Sequence, residues 1–202
     1  MNRLVIWRGL EGELTEAASV HLDRTGLHAL GTQFGIDPQP YQLEYELDVD
    51  DRFVTRTFAV RVTGNDWSRT LDLTHDGSHN WGVDWTSRGD ADLPAPGGDP
   101  VALGAALDCD LGLSPLTNLM PIRRNLLDRR PGSVDLVAAW VSVPDLSVAP
   151  YRQRYEHVRL ADGTAVVRFT SLDTHEGFTS ELQLDEDGLV TLYPHLARRV
   201  DA

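Results

Sequence analysis

Apolar and polar residues alternate with a period of two along much of the chain. From Tyr41 to Val49, tyrosine, leucine and valine occupy the odd positions, while glutamine, glutamate and aspartate occupy the even ones. This alternation is typical of a strand with one buried and one solvated face. The run from Phe53 to Thr63 follows after a turn-like Asp-Asp-Arg and places a second set of apolar residues on one side. The pattern therefore predicts antiparallel strands joined by short turns.

Asp-Gly pairs at positions 76–77, 162–163 and 187–188 each separate two strand-like runs. Both residue types tolerate positive φ, which tight hairpin turns require, so each pair predicts a hairpin. The more continuously apolar run Val134 to Val143 predicts a strand that is buried on both faces or lies deep in a curved sheet. Helical patterns are scarce, and only residues 10–18 and 99–107 are predicted to hold a turn or two. The fold class is therefore mostly β.

The length of 202 residues and the continuity of the strand patterns predict a single domain over residues 1–202. The segment from Arg88 to Pro100 is rich in proline, glycine and aspartate. Such composition indicates a loop, and we expect it to be a solvent-exposed insert near residues 88–100.

The chain is acidic, with a formal net charge of -13 and a pI of about 4.8, and all 18 of its basic residues are arginine. Binding to nucleic acid or to an anionic bilayer requires a basic surface, so we expect neither as a partner. Cys109 is the one cysteine, which fits a reducing compartment. The longest early apolar run, Leu4 to Trp7, is too short for a signal peptide, and no run approaches membrane-spanning length. We expect a cytoplasmic protein without stable membrane insertion.

Motifs for catalysis, metals and cofactors are weak. Ser114 precedes Pro115, which lacks the backbone N–H that a serine elbow uses in its oxyanion hole, so Ser114 is better interpreted as a cap or turn residue before one short helical turn. His75 and His79 flank an Asp-Gly pair and are best explained as surface residues beside a turn. No nucleotide-binding glycine motif occurs. We expect no catalytic residue, no metal and no cofactor.

Three stretches in the second half carry a resemblance: "DCDLGLSPLTNLMPIRRNLL", "VAAWVSVPDLSVAPYRQRYEHV" and "EGFTSELQLDEDGLVTLYPHLARRV". Their order and spacing, with the earlier "YQLEYELDVDDRFVTRTFAVRV", resemble a family of bacterial proteins described as glycolipid-binding and formerly as a domain of unknown function. The resemblance implies one antiparallel, strongly curved sheet that forms a spiral roll or half-barrel, similar to bacterial lipoprotein carriers. It also implies non-catalytic binding of a glycolipid or similar amphiphile, with no established catalytic residues to carry over.

A binding cavity of this kind needs an apolar interior and polar groups at its mouth. The candidate ligand-binding residues are Thr117, Asn118, Arg123, Arg124, Trp85 and Trp140. Tryptophan suits either a core or a cavity wall, arginine can grip an anionic head group through two parallel N–H bonds, and adjacent strand residues point to opposite faces. If the stretch after Pro121 is a strand, only one of the two arginines can face the cavity. The alternative is that Asn118 closes a turn and both arginines pair with carboxylates.

Two other functions stay open at this point. The first is a hydrolase or isomerase that acts on a lipid-like or sugar substrate through His75 or His175 and a nearby acid. The second is a protein-interaction module, which includes a possible homodimer, because an all-β chain must pair or protect its sheet edges.

Overall fold

The computed structural model describes residues 1–161, 163–173 and 177–200, and it places fourteen strands in one sheet. The strands of the first half are β1 (Asn2–Gly9), β2 (Thr15–Asp23), β3 (Gly26–Gly35), β4 (Tyr41–Val49), β5 (Thr55–Thr63), β6 (Ser68–His75) and β7 (Trp81–Arg88). Those of the second half are β8 (Ala106–Leu111), β9 (Ser133–Val141), β10 (Val148–Ala161), β11 (Thr164–Ser171), β12 (Thr179–Leu184), β13 (Val190–Tyr193) and β14 (Ala197–Arg199). Between β8 and β9 lie a 3₁₀ turn (Leu116–Asn118) and the helix α1 (Leu119–Arg124).

Two up-and-down meanders share this sheet. One runs in order from β7 to β1, the other from β14 to β8, and antiparallel pairing of β1 with β14 joins them. The sheet is curved and does not close, which confirms the predicted mostly β spiral roll. One departure is that β8 pairs with β9 in parallel, because the chain crosses back through α1 between these two strands.

The predicted alternation determines which residues are buried. In β4, Tyr41, Leu43 and Tyr45 are buried, whereas Glu44 and Glu46 point to solvent. Gly77 and Gly188 adopt positive φ at the turns between β6 and β7 and between β12 and β13, as the Asp-Gly pairs predict. The third pair includes residue 162, which lies outside the described residues.

One of the sequence predictions in this part of the chain needs correction. Residues 10–18 form a bend that leads into β2, because their apolar positions follow the strand period. The predicted insert near residues 88–100 lies in the loop between β7 and β8 (residues 89–105); most of its residues are exposed, whereas Ala91 and Gly97 are buried. Gly97 exchanges backbone hydrogen bonds of 2.9 Å with Leu146 and Val148, so the loop is held against the second half of the chain.

The helix α1 lies between two clusters of buried side chains. Leu119 and Met120 pack into the larger cluster, which comes mainly from β1–β9, while Ile122 packs into the smaller cluster from β10–β13. Strand β9 also serves both clusters, with Ala139 in the larger and Leu136 against the smaller. This agrees with the prediction of a strand deep in a curved sheet. None of the helices in the described part of the chain has the length and apolarity needed to cross a membrane.

Candidate functional site

A cleft opens where the end of β8 meets the strands of the second half. Its inner chamber has a volume of about 150 Å³, and its outer chamber has a volume of about 510 Å³. The two chambers share the residues Gly112, Leu113, Trp140, Phe178, Tyr193 and Leu196. The outer volume falls in the range of roughly 300–1,000 Å³ that small-molecule sites occupy.

Aromatic side chains form one wall of the cleft. The rings of Trp140 and Tyr151 lie 5.8 Å apart between centroids, on the adjacent strands β9 and β10. Phe169 lies 6.1 Å from Phe178 and 6.3 Å from Tyr193, so a second aromatic group continues the wall. Aromatic faces bury large apolar areas, and their polar edges tolerate contact with water. The wall can therefore contact either an apolar chain or the apolar face of a sugar.

The floor of the inner chamber is polar and comes from the segment that follows β8. Ser114 and Asn118 line it at either end of the short 3₁₀ turn. The Ser114 hydroxyl accepts a hydrogen bond of 3.2 Å from the Leu116 N–H, and Pro115 opens the turn, as predicted. The Asn118 amide donates to the carbonyls of Ser114 and Pro115, and its oxygen accepts the Tyr155 hydroxyl at 2.9 Å.

Asp110 is the buried acid of this floor. Its carboxylate accepts hydrogen bonds from Thr117 Oγ1 at 2.8 Å and from Gln153 Nε2 at 2.6 Å. Burial raises the pKa of Asp110 to about 6, and the two hydrogen bonds act against that rise. Above neutral pH the inner chamber therefore presents a carboxylate that is fixed by two donors.

A second buried acid, Glu16, lies directly behind the floor. Its Oε1 accepts the hydroxyls of Tyr45 at 2.6 Å and Ser114 at 2.8 Å. Burial raises the pKa of Glu16 to about 7, and its Oε2 has no hydrogen-bond partner among the described residues. We did not predict this residue from the sequence, although a signal exists: Glu16 has the same strand parity as the apolar Ala18 and Val20.

The two predicted arginines lie on α1 and not on a strand, so strand parity does not select between them. Arg124 makes a bidentate pair with Asp108 at 2.5 and 2.6 Å. Arg123 pairs with Asp128 at 2.9 Å, and its guanidinium lies 5.7 Å from the centroid of the Phe53 ring. Neither arginine lines the inner or the outer chamber. The arrangement is the alternative in which both arginines pair with carboxylates.

The other candidate residues divide between the cleft and the rest of the fold. Trp140 and Asn118 line the cleft, and Thr117 lies one hydrogen bond away from it, on Asp110. Trp85 lies on the edge strand β7, is 50% exposed and packs against the backbone of Gly97. It does not line either chamber.

His75 and His79, the described histidines among the candidates, do not line the cleft. His75 is buried, stacks on Trp81 and has Nδ1 3.3 Å from the Thr55 carbonyl, whereas His79 contacts the Gly104 carbonyl. His175 lies outside the described residues. In the described ranges, three residues on the outer face of β3 and β4 bring possible metal-ligand atoms within 4.8 Å of one another: His28, Glu46 and Asp48.

Comparison with known proteins gives two matches. A family model described as "Putative glycolipid-binding" matches residues 4–199. The crystal structure of a DUF1089 family protein from Pseudomonas aeruginosa is similar over 92% of each chain, with 28% sequence identity and a TM-score of 0.71. No curated protein matches the chain.

Proposed function

The chain belongs to this glycolipid-binding family, and from that premise we propose that its cleft binds a glycolipid or a similar amphiphile without catalysis. The observation that carries the proposal is the combination of an aromatic wall with a polar floor. Trp140 and Tyr151 supply the wall, and Asp110, Ser114 and Asn118 supply the floor. An amphiphile has matching apolar and polar parts.

The outer chamber suits the apolar part of such a ligand. Leu113, Val143, Pro194 and Leu196 line it together with the shared aromatic residues. Transfer of a methylene group from water to an apolar site is favourable by about 0.8 kcal/mol. A short alkyl chain in this chamber therefore supplies enough free energy for binding in the micromolar to millimolar range.

The inner chamber suits a hydroxyl-rich head. A carboxylate can accept about four hydrogen bonds, and Asp110 accepts two from the protein, so acceptor sites remain for sugar hydroxyls. The Asn118 and Ser114 side chains lie beside it. A non-catalytic role is supported by Pro115, which follows Ser114 and lacks the backbone N–H that a serine elbow uses in its oxyanion hole.

Calorimetric titration with octyl β-glucoside below its critical micelle concentration tests the proposal. We expect binding by the unaltered protein and a loss of at least ~10-fold in affinity for Trp140→Ala, because about 1.4 kcal/mol of contact energy corresponds to tenfold. Trp85→Ala is the matched control, since Trp85 is half-exposed and away from the cleft, and it should bind normally. Wild-type affinity in Trp140→Ala contradicts the location. Failure of the unaltered protein to retain any sugar-headed amphiphile, including from a lipid extract in native mass spectrometry, contradicts the function.

A further inference from the structure

Acidic side chains surround the mouth of the cleft. A side chamber of about 370 Å³ adjoins the cleft at Leu113 and Leu196 and is lined by Glu11, Glu13 and Asp37. Asp37 also lines the outer chamber. With Asp110 on the floor, a ligand that enters this cleft passes carboxylates at the rim and meets another at the bottom.

The residues that line these chambers carry too little positive charge to balance the acids. Among the described residues that line the three chambers, only His195 can carry positive charge. Its Nδ1 lies 2.8 Å from Glu11 Oε1. The nearby arginines of α1 are engaged by Asp108 and Asp128. The formal net charge of -13 adds a negative field over the whole molecule.

We propose that this cleft takes amphiphiles with an uncharged sugar head and excludes those with a phosphate or sulfate head. This inference rests on the proposed function, since it concerns the head group that the same cleft accepts. Sugar hydroxyls donate hydrogen bonds to carboxylates. A phosphate, like the carboxylates of this cleft, is a negatively charged hydrogen-bond acceptor, so the two repel each other. Asp110 repels such a head strongly, because its carboxylate is buried in the inner chamber, and the exposed acids at the rim add a weaker repulsion that water screens.

Two probes with the same tail separate the head-group effect from the tail. Octyl β-glucoside and octyl phosphate, both below their critical micelle concentrations, are titrated into the full chain at pH 7.5 and low salt. We expect octyl phosphate to bind at least ~10-fold more weakly, because each added like charge near the rim opposes it. Raising the salt concentration from about 0.02 M to 0.2 M should narrow this ratio, since the Debye length shortens from roughly 20 Å to below 10 Å.

Charge removal at the rim provides the direct test. Asp37→Asn should tighten the binding of octyl phosphate several-fold relative to that of octyl β-glucoside. Asp51→Asn is the control with the same change in net charge, because Asp51 follows the far end of β4, roughly 27 Å from Tyr41 by strand rise. Equal affinity for the two probes, or equal effects of the two substitutions, overturns the selection by charge. Either result leaves amphiphile binding itself intact. Binding of neither probe overturns amphiphile binding itself and this inference with it.

Discussion

The Ser114 hydroxyl donates a hydrogen bond of 2.8 Å to the Glu16 carboxylate, although the two residues are 98 positions apart in the chain. Glu16 belongs to β2 in the first meander, whereas Ser114 begins the segment that carries the 3₁₀ turn and α1. The bond therefore connects the first half of the sheet to the polar floor of the cleft. Because the acid is buried, its protonation state affects both the stability of the fold and the shape of this floor.

The two buried acids Glu16 and Asp110 each contribute less to the stability of the fold as the pH rises. Between about pH 4.5 and 7 the folded protein keeps a proton on Glu16 that the unfolded chain has released. The contribution of Glu16 to the free energy of unfolding therefore falls through this window, by on the order of 3 kcal/mol for a buried group with this shift, and is flat above it. Asp110 acts in the same direction between about pH 4 and 6.

Glu16→Gln isolates the first contribution. Glutamine keeps the oxygen that accepts the Tyr45 and Ser114 hydroxyls but carries no charge, so the variant should match the unaltered protein at pH 5 and exceed it in stability at pH 8. Urea unfolding at pH 5, 6, 7 and 8 measures this. If the free energy of unfolding of the variant falls with pH as steeply as that of the unaltered protein, Glu16 does not have this role. Asp110→Asn measures how much of the remaining pH dependence comes from Asp110.

The Arg124–Asp108 pair predicts a structural and not a ligand-binding role for this arginine. Both side chains are largely buried, so Arg124→Met leaves an unpaired buried carboxylate and should cost about 3–5 kcal/mol of unfolding free energy. The double variant Asp108→Asn/Arg124→Met should recover part of that loss, because it removes the stranded charge. Urea unfolding checks both variants.

Two controls separate this role from an anion clamp. Arg154→Met breaks a surface pair with Asp135 and should change stability little, because exposed ion pairs are screened by water. Arg124→Met, where folded, should keep the affinity of the unaltered protein for octyl β-glucoside. A loss of affinity with unchanged stability contradicts the structural role.

Local patterns explain which parts of the fold could be predicted. Alternation within β4 and the glycines at 77 and 188 depend on neighbours in the chain, so the strands and hairpins are readable from the sequence. The pairing of β1 with β14 and the parallel pairing of β8 with β9 join distant segments, and no local pattern encodes them. The rolled shape of the sheet was predicted only through the resemblance to the family.

The candidate site was only partly predictable for the same reason. Asn118 and Trp140 reach the cleft, but the two arginines do not. Their position could not be predicted, because the six residues around Pro121 are compatible with a helix or a strand and only tertiary packing selects the helix. Glu16 lies on the apolar side of β2, yet a single acid in a strand does not reveal whether a donor from elsewhere will accompany it. Those donors, Tyr45 and Ser114, come from other elements.

Gly31 provides a space that the Tyr45 ring fills. The two residues are cross-strand partners, and a Cβ at Gly31 would lie 2.1 Å from the Tyr45 ring. Gly31→Ala must therefore displace the ring that donates to Glu16, and we expect a loss of about 1–3 kcal/mol in unfolding free energy. Gly132→Ala is the control, since its Cβ would meet only the end of the Leu127 side chain at 3.3 Å. Equal stability of the two variants by urea unfolding contradicts this account.

Arg69 holds the β7–β8 loop against the sheet. Its guanidinium donates to the carbonyls of Pro94 and Leu93 in that loop and to the carbonyl of Asp145 at 2.8 Å. The side chain is buried, and burial lowers its pKa, so these carbonyls are the groups that compensate its desolvation. Removal of the guanidinium should therefore release the loop before it affects the rest of the fold.

Hydrogen exchange of two backbone amides measures that release. The Gly97 N–H donates to the Leu146 carbonyl and the Val148 N–H donates to the Gly97 carbonyl, so both amides report on whether the loop is docked. In Arg69→Met, we expect both to exchange at least ~10-fold faster, since a loss of about 1.4 kcal/mol in local opening energy corresponds to tenfold. Arg61→Met, on the exposed side of β5, should leave both rates unchanged. Unchanged protection in Arg69→Met means that the backbone bridge alone holds the loop, and Arg69 then has no anchoring role.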